Sequence, residues 1–197
     1  GLVPDAFVGI KPKPAAKEGD VAKAGDALFV DKLHPEVKFV SPVSGKVTAI
    51  VRGDRRKILS VQVTADKQQT YADFGKKNVS SLSGEQVKAA LLESGLFAFF
   101  LQRPYAVTAN PTDAPKAVFV STFSDMPLAA DFEVALKGNE ADFQTGVDAL
   151  AKIAKVYLGV KPSASSALIN AKNAEVTVFD GKCPAGNVGV QINHLSP

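Results

Sequence analysis

The chain has 197 residues but only one cysteine (Cys183), two histidines, one methionine and no tryptophan. A single cysteine excludes an internal disulfide and a cysteine-rich metal site. The two histidines, His34 and His194, lie in unrelated settings, so no Ser/His/Asp triad can be argued, and no His, Cys or carboxylate falls at metal-ligand spacing from His34. No apolar run approaches the ~20 residues that a membrane-spanning helix needs. Neither sign of charge is in large excess. A net charge of +3 is too small to argue for nucleic acid as a partner. The chain begins at Gly1 and not at Met, and no signal peptide is expected in it. From its ends, Gly1-Leu2-Val3-Pro4 and Ser196-Pro197, the chain is expected to be an expressed fragment, with Gly1 left by a tag.

What is present is ordinary globular composition, 46% apolar and 22% charged, in a length that allows one or two domains with a real core. Residues 1–66 read as short strands punctuated by Gly, Asp and Pro. Glu18-Gly19-Asp20 and Ala24-Gly25-Asp26 are turn signals. Leu28–Val30, Lys46–Val51 and Ile58–Val63 are strand-like, and the last alternates as a half-buried strand should. Arg52-Gly53-Asp54-Arg55 is the loop between the last two. This pattern suits a small β barrel-sandwich.

Residues 67–82 are polar and expected as a linker. Ser83-Gly84-Glu85-Gln86 has the form of a capping box, with Gly95 as the stop of the helix it opens. From there strands and helices interleave. Ala117–Val120 is expected as a buried strand, and Val156–Leu158 and Glu175–Phe179 as two more. Phe143, Val147, Leu150, Ile153 and Ala154 form one helical stripe with Asn139 as a candidate cap, and 164–171 is expected to hold another helical turn. Strands interleaved with helices argue for an α/β layer over 83–197 with some parallel pairing.

Several segments are candidates for chemistry. Phe97, Phe99, Phe100 and Leu101 make a bulky apolar stretch after Gly95, read as core packing or as a contact surface for a partner or hydrophobic ligand. Pro184-Ala185-Gly186-Asn187-Val188-Gly189 is a candidate tight loop or anion nest through Gly186, Asn187 and Gly189, and Cys183 beside it is read as structural. Arg52, Arg55, Arg56 and Lys57 form a basic cluster opposed only by Asp54. It is read as a solvated hairpin tip, with acidic lipid headgroups or an acidic partner as the functional alternatives.

Residues 17–29 (KEGDVAKAGDALF) and 39–47 (FVSPVSGKV) resemble the biotinyl/lipoyl-like domains. In such domains a lysine at a hairpin tip is acylated. Here His34-Pro35 occupies that tip, and Lys32 and Lys38 only flank it, so the resemblance implies the fold without the covalent chemistry.

Over nearly the whole chain a series of segments resembles one larger family. It comprises Val8–Pro14, Lys17–Asp20, Val37–Gly45, Leu91–Leu96, Arg103-Pro104, Pro127–Asp131 and Pro184–Gly189. The order is similar to that in the A subunits of bacterial sodium-translocating NADH:quinone oxidoreductases. The resemblance implies a peripheral subunit on the cytoplasmic face of the bacterial inner membrane. It would belong to a complex that pumps Na⁺ while passing electrons from NADH to a quinone, and family members are longer at both ends. It also implies an α/β domain related to the flavoprotein subunit of complex I and to the Rnf complex. Those relatives carry a Gly-rich loop after the Ser94-Gly95-Leu96 position, and here that loop is replaced by Phe97, Phe99 and Phe100. The expectation is a nucleotide scaffold that binds neither NADH nor FMN, with NADH, FAD/FMN and iron–sulfur centres in partner subunits and quinone as a ligand of the apolar stretch. The family leads one to expect His before Pro184, where this chain has Cys183. The alternatives are a biotinyl/lipoyl carrier and an NADH/FMN-binding subunit of the Rnf type.

Overall fold

A computed structural model describes residues 1–197, which form two compact units. The first comprises residues 1–76 and 88–114, the second 77–87 and 115–197.

The first unit is built on two three-stranded sheets. One contains β1 (Pro12–Pro14), β3 (Ala27–Asp31) and β4 (Lys38–Val40). The other contains β2 (Val21–Ala22), β5 (Gly45–Arg52) and β6 (Ile58–Ala65). All pairings are antiparallel. The expected strands are all present. Two similar turns lead into them: the amides of Lys17 and Lys23 donate to Asp20 and Asp26 respectively, both at 2.7 Å. An Asp that bonds a nearby amide fixes a turn locally, which is why these signals are legible in the sequence. Leu28, Phe29, Val37, Phe39, Val47 and Val61 fill the core at 1% exposure or less. The rings of Phe29 and Phe39 stack at 4.8 Å, and Phe7 meets Phe39 edge-on at 4.5 Å.

The segment expected as a linker is not free over its first part. Ser44, itself buried, donates its amide to Gln69 Oε1 (2.7 Å) and accepts from the Thr70 amide through Oγ (2.9 Å). The Ala24 amide then donates to Thr70 O, and the Ala72 amide to Ala24 O. A buried hydroxyl needs a partner, and the polar tail supplies it.

Helix α1 (Gly84–Glu93) carries the capping box as read. The Gln86 amide donates to Ser83 Oγ (3.3 Å) and the Ser83 amide to Gln86 Oε1 (2.9 Å). Packing and sequence division differ from within this helix onward, because residues 88–114 join the barrel. Leu91 and Leu92 pack on its core, and Phe97 and Ala98 belong to it. A short hairpin, β7 (Leu101–Gln102) with β8 (Val107–Thr108), follows.

In the second unit a parallel sheet has the order β11–β10–β9, with β9 at Ala117–Ser121, β10 at Lys155–Val160 and β11 at Glu175–Val178. Strand β9, expected to be buried, is only half-buried at every residue, since it stands at an edge of the sheet. One face is apolar: Leu158 and Val160 pack with Leu136, Leu168 and Ala171 from the connecting segments. Helix α3 (Glu140–Ile153) carries the expected stripe, with Val147 fully buried. Asn139 precedes it but makes no side-chain cap bond. Helices α2 (Phe132–Leu136) and α4 (Ser166–Ile169) complete the crossovers, and α5 (Val188–Leu195) ends the fold. On the other face the amide end of Gln191 of α5 packs against Gly159, so that a Cβ there would force that side chain to move.

Candidate functional site

The hairpin apex between β3 and β4 is shaped by Asp31, which is 7% exposed. Its Oδ1 accepts from the amides of Lys11 (3.0 Å) and Leu33 (3.2 Å). The Val37 amide closes the turn on His34 O at 2.9 Å. Lys32 and Pro35 are exposed, His34 and Lys38 are partly buried, and His34 Nδ1 lies 4.0 Å from Glu36 Oε1. No lysine stands at the tip. Nowhere in the chain are three or more His, Cys, Asp or Glu side chains placed to hold a metal ion.

The apolar stretch after α1 divides in two. Gly95 takes φ +77, and a Cβ there would lie 2.5 Å from Val40 Cγ1, so only glycine fits this close turn. The next residues form a 3₁₀ turn, Leu96–Phe99. Phe97 is buried and Phe100 packs against the barrel core, their rings 5.6 Å apart. Phe99 (70% exposed) and Leu101 (53%) point outward. The Phe99 ring lies 6.2 Å from Phe7. Val8, whose carbonyl accepts from the Thr108 amide of β8, is exposed as well. Of the four expected contact residues, Phe97 is buried and Phe100 partly buried against the barrel core, while Phe99 and Leu101 present most of the exposed apolar surface.

The glycine loop 184–189 is not an open nest. The Ala185 amide donates to Lys182 O, the Gly186 amide to Asp125 Oδ2 (3.3 Å) and the Asn187 amide to Pro184 O. Asn187 is the N-cap of α5, accepting from the Gly189 amide at 2.8 Å. An anion nest needs such amides unspent. Sequence reasoning missed α5 because Gly186 and Gly189 look like turn residues, although Asn187 followed by apolar Val188, Ile192 and Leu195 is a readable start signal. Beneath the loop, Gln191 (2% exposed) donates Nε2 to Ser121 Oγ and Ala185 O, both at 3.1 Å. Cys183 Sγ is 3.5 Å from Met126 Sδ. Loss of hydration and then the Asp125 carboxylate push the Cys183 thiol above its ordinary pKa, opposite to what a reactive thiolate needs.

No helix is long and apolar enough to cross a membrane.

Residues 1–66 match the family model of the NqrA N-terminal barrel-sandwich hybrid domain, and residues 82–197 match that of the NqrA second alpha/beta domain. Among curated proteins the chain is similar to the A subunit of the Na(+)-translocating NADH-quinone reductase of Yersinia pestis, 38% identical over 200 residues. It is also similar to the corresponding A subunits of Actinobacillus pleuropneumoniae serotype 5b (38% over 204 residues) and Photorhabdus laumondii (36% over 200 residues). Each alignment covers 100% of this chain and 45% of the relative, so the chain spans a little under half the length of those proteins.

Proposed function

Because the chain belongs to the NqrA family through both its barrel-sandwich and its α/β domain, we propose that it serves as a peripheral subunit of a sodium-pumping NADH:quinone reductase. In this reading it sits on the cytoplasmic face of the bacterial membrane and carries no redox centre. NADH, flavin and iron–sulfur chemistry belong to partner subunits. The α/β domain is kin to the flavoprotein subunit of complex I, with its nucleotide site lost. Its contribution to the reaction is architectural, together with an apolar contact for quinone at Phe99 and Leu101.

One observation supports the lost site above the rest. The chain after Gly95 is filled by Phe97 and Ala98, which are core residues of the first unit. A phosphate cradle requires several consecutive amides free of side chains. Here Gly95 alone lacks a side chain, and its absent Cβ position is taken by Val40.

Calorimetric titration with FMN and then NADH, alongside a visible spectrum, tests this. The expected outcome is a colourless protein with no heat of binding. A yellow protein or saturable binding of either ligand would move the chain to the NADH-oxidising, Rnf-type class. For the quinone contact, F99A with L101A in the assembled complex is expected to change sensitivity to quinone-site inhibitors. Unchanged sensitivity in a normally assembled complex would remove that contact.

A further inference from the structure

The tip of the β5–β6 hairpin combines two features that do not fit a merely solvated turn. Arg55 and Arg56 both have positive φ, +52° and +63°, in the turn that the Lys57 amide closes on Asp54 O. Two consecutive left-handed residues at a hairpin tip are the geometry that selects Asn-Gly or Gly-Gly, because a side chain strains the backbone there. This tip places two arginines in those positions. Arginine is also scarce in the chain. Three of its four arginines, Arg52, Arg55 and Arg56, fall within five residues, while the remaining cations are lysines apart from Arg103.

All three are exposed, and none has a carboxylate within ion-pair distance. The neighbouring Lys57 is neutralised by Asp5 at 2.6 Å, and Arg52 Nη1 donates to Arg56 O at 3.2 Å, bracing the tip. The Gly53 amide closes the base of the loop on Lys57 O at 2.8 Å. The arginines are thus held on a braced turn, unpaired.

We propose that this tip docks onto a carboxylate-bearing surface of a partner subunit, with Arg55 and Arg56 as the anchoring side chains. The inference rests on the reading of the chain as a subunit of a larger complex. Guanidinium is the cation that grips a carboxylate with two parallel hydrogen bonds, and it is enriched at protein interfaces. A braced, strained tip rewards a partner of fixed geometry, since preorganisation lowers the cost of ordering on binding. A fluid anionic lipid surface attracts charge without such geometry, and lysine would serve it equally.

The test uses the full subunit co-expressed with the other subunits of its reductase, purified in detergent and washed at rising salt. Retention of the wild type, R55K/R56K and R55G/R56G is compared, with a thermal melt of each free subunit. The lysine pair is expected to wash off at lower salt, with retention reduced roughly tenfold or more, because lysine keeps the charge but cannot make the two parallel hydrogen bonds of a guanidinium. The glycine pair is expected to lose retention while melting about 2–4 °C higher, because the backbone strain is relieved. If the lysine pair is retained like the wild type, or the glycine pair is, the proposal is wrong. If the arginine tip instead binds vesicles of phosphatidylglycerol and the lysine pair binds them equally, the surface is a lipid contact and the proposal is likewise overturned. Wild-type protein that fails to co-purify at all would bring down the reading as part of a complex and this inference with it.

Discussion

The two units use apolar residues in opposite ways. The barrel closes two sheets around a centre in which three phenylalanine rings, Phe7, Phe29 and Phe39, touch one another. The α/β unit has a thin sheet with one dry face, where Leu158, Val160 and Leu168 meet, and it holds the other face through a polar network centred on Gln191. A barrel of short strands has little ladder per strand, so its stability comes from a dense centre. A parallel sheet of three strands has two edges, and its residues stay half-buried unless helices cover them. Each unit is therefore vulnerable at a different point: the barrel to a lost ring, the α/β unit to a lost hydrogen bond.

Phe39→Ala should be the most damaging change, costing about 3–5 kcal/mol, because it removes a fully buried ring that two others pack against. Chemical denaturation with a probe in each unit checks it, and loss confined to the barrel would sharpen the contrast. Gln191→Ala is expected to cost about 1–3 kcal/mol, since Ser121 and the Ala185 carbonyl lose a buried partner. An unaltered denaturation midpoint would break the claim that this unit leans on polar contacts. Ser83→Ala should cost about 1 kcal/mol through the lost cap of α1, read as a lower midpoint with unchanged slope.

The smallest effect concerns Cys183. Its pKa is raised, so at pH 8 less thiolate is present than in an ordinary cysteine, and alkylation by iodoacetamide should be slow and its pH profile displaced to higher pH. Asp125→Asn removes a negative neighbour and is expected to move the profile back down. A profile that does not move would assign the shift to lost hydration alone.

The barrel is legible almost residue by residue because its signals are local. The Lys17–Asp20 and Lys23–Asp26 turns, the Ser41–Gly45 motif and the alternation of 58–63 each declare their geometry within a few positions. The capping box of Ser83 and Gln86 is legible for the same reason. What is not legible depends on distant partners. Nothing local tells that Phe97 and Ala98 complete the barrel, since that depends on Gly95 meeting Val40, 55 positions earlier in the chain. Strand β9 looks like a central strand because an apolar run states hydrophobicity and not position in the sheet order. Helices α2 and α5 are hidden by brevity and by glycines, though Asp131 and Asn187 cap them in the usual manner. At the candidate site the outward turn of Phe99 and Leu101 against the inward turn of Phe97 and Phe100 is a matter of rotation about a 3₁₀ turn, which composition does not encode.

The interleaving of the chain has a consequence for modularity. The barrel takes Phe97 and Ala98 from beyond α1, and residues 77–87 belong to the other unit although they come earlier in the chain. Neither unit is therefore a cassette that recombination or a protein engineer can lift out with a single cut. A break after residue 66 or 82 leaves the barrel with an unfilled hole at its core and an exposed Val40. Exchange that keeps both units intact has to carry residues 1–76 together with 88–114 and leave 77–87 with the second unit.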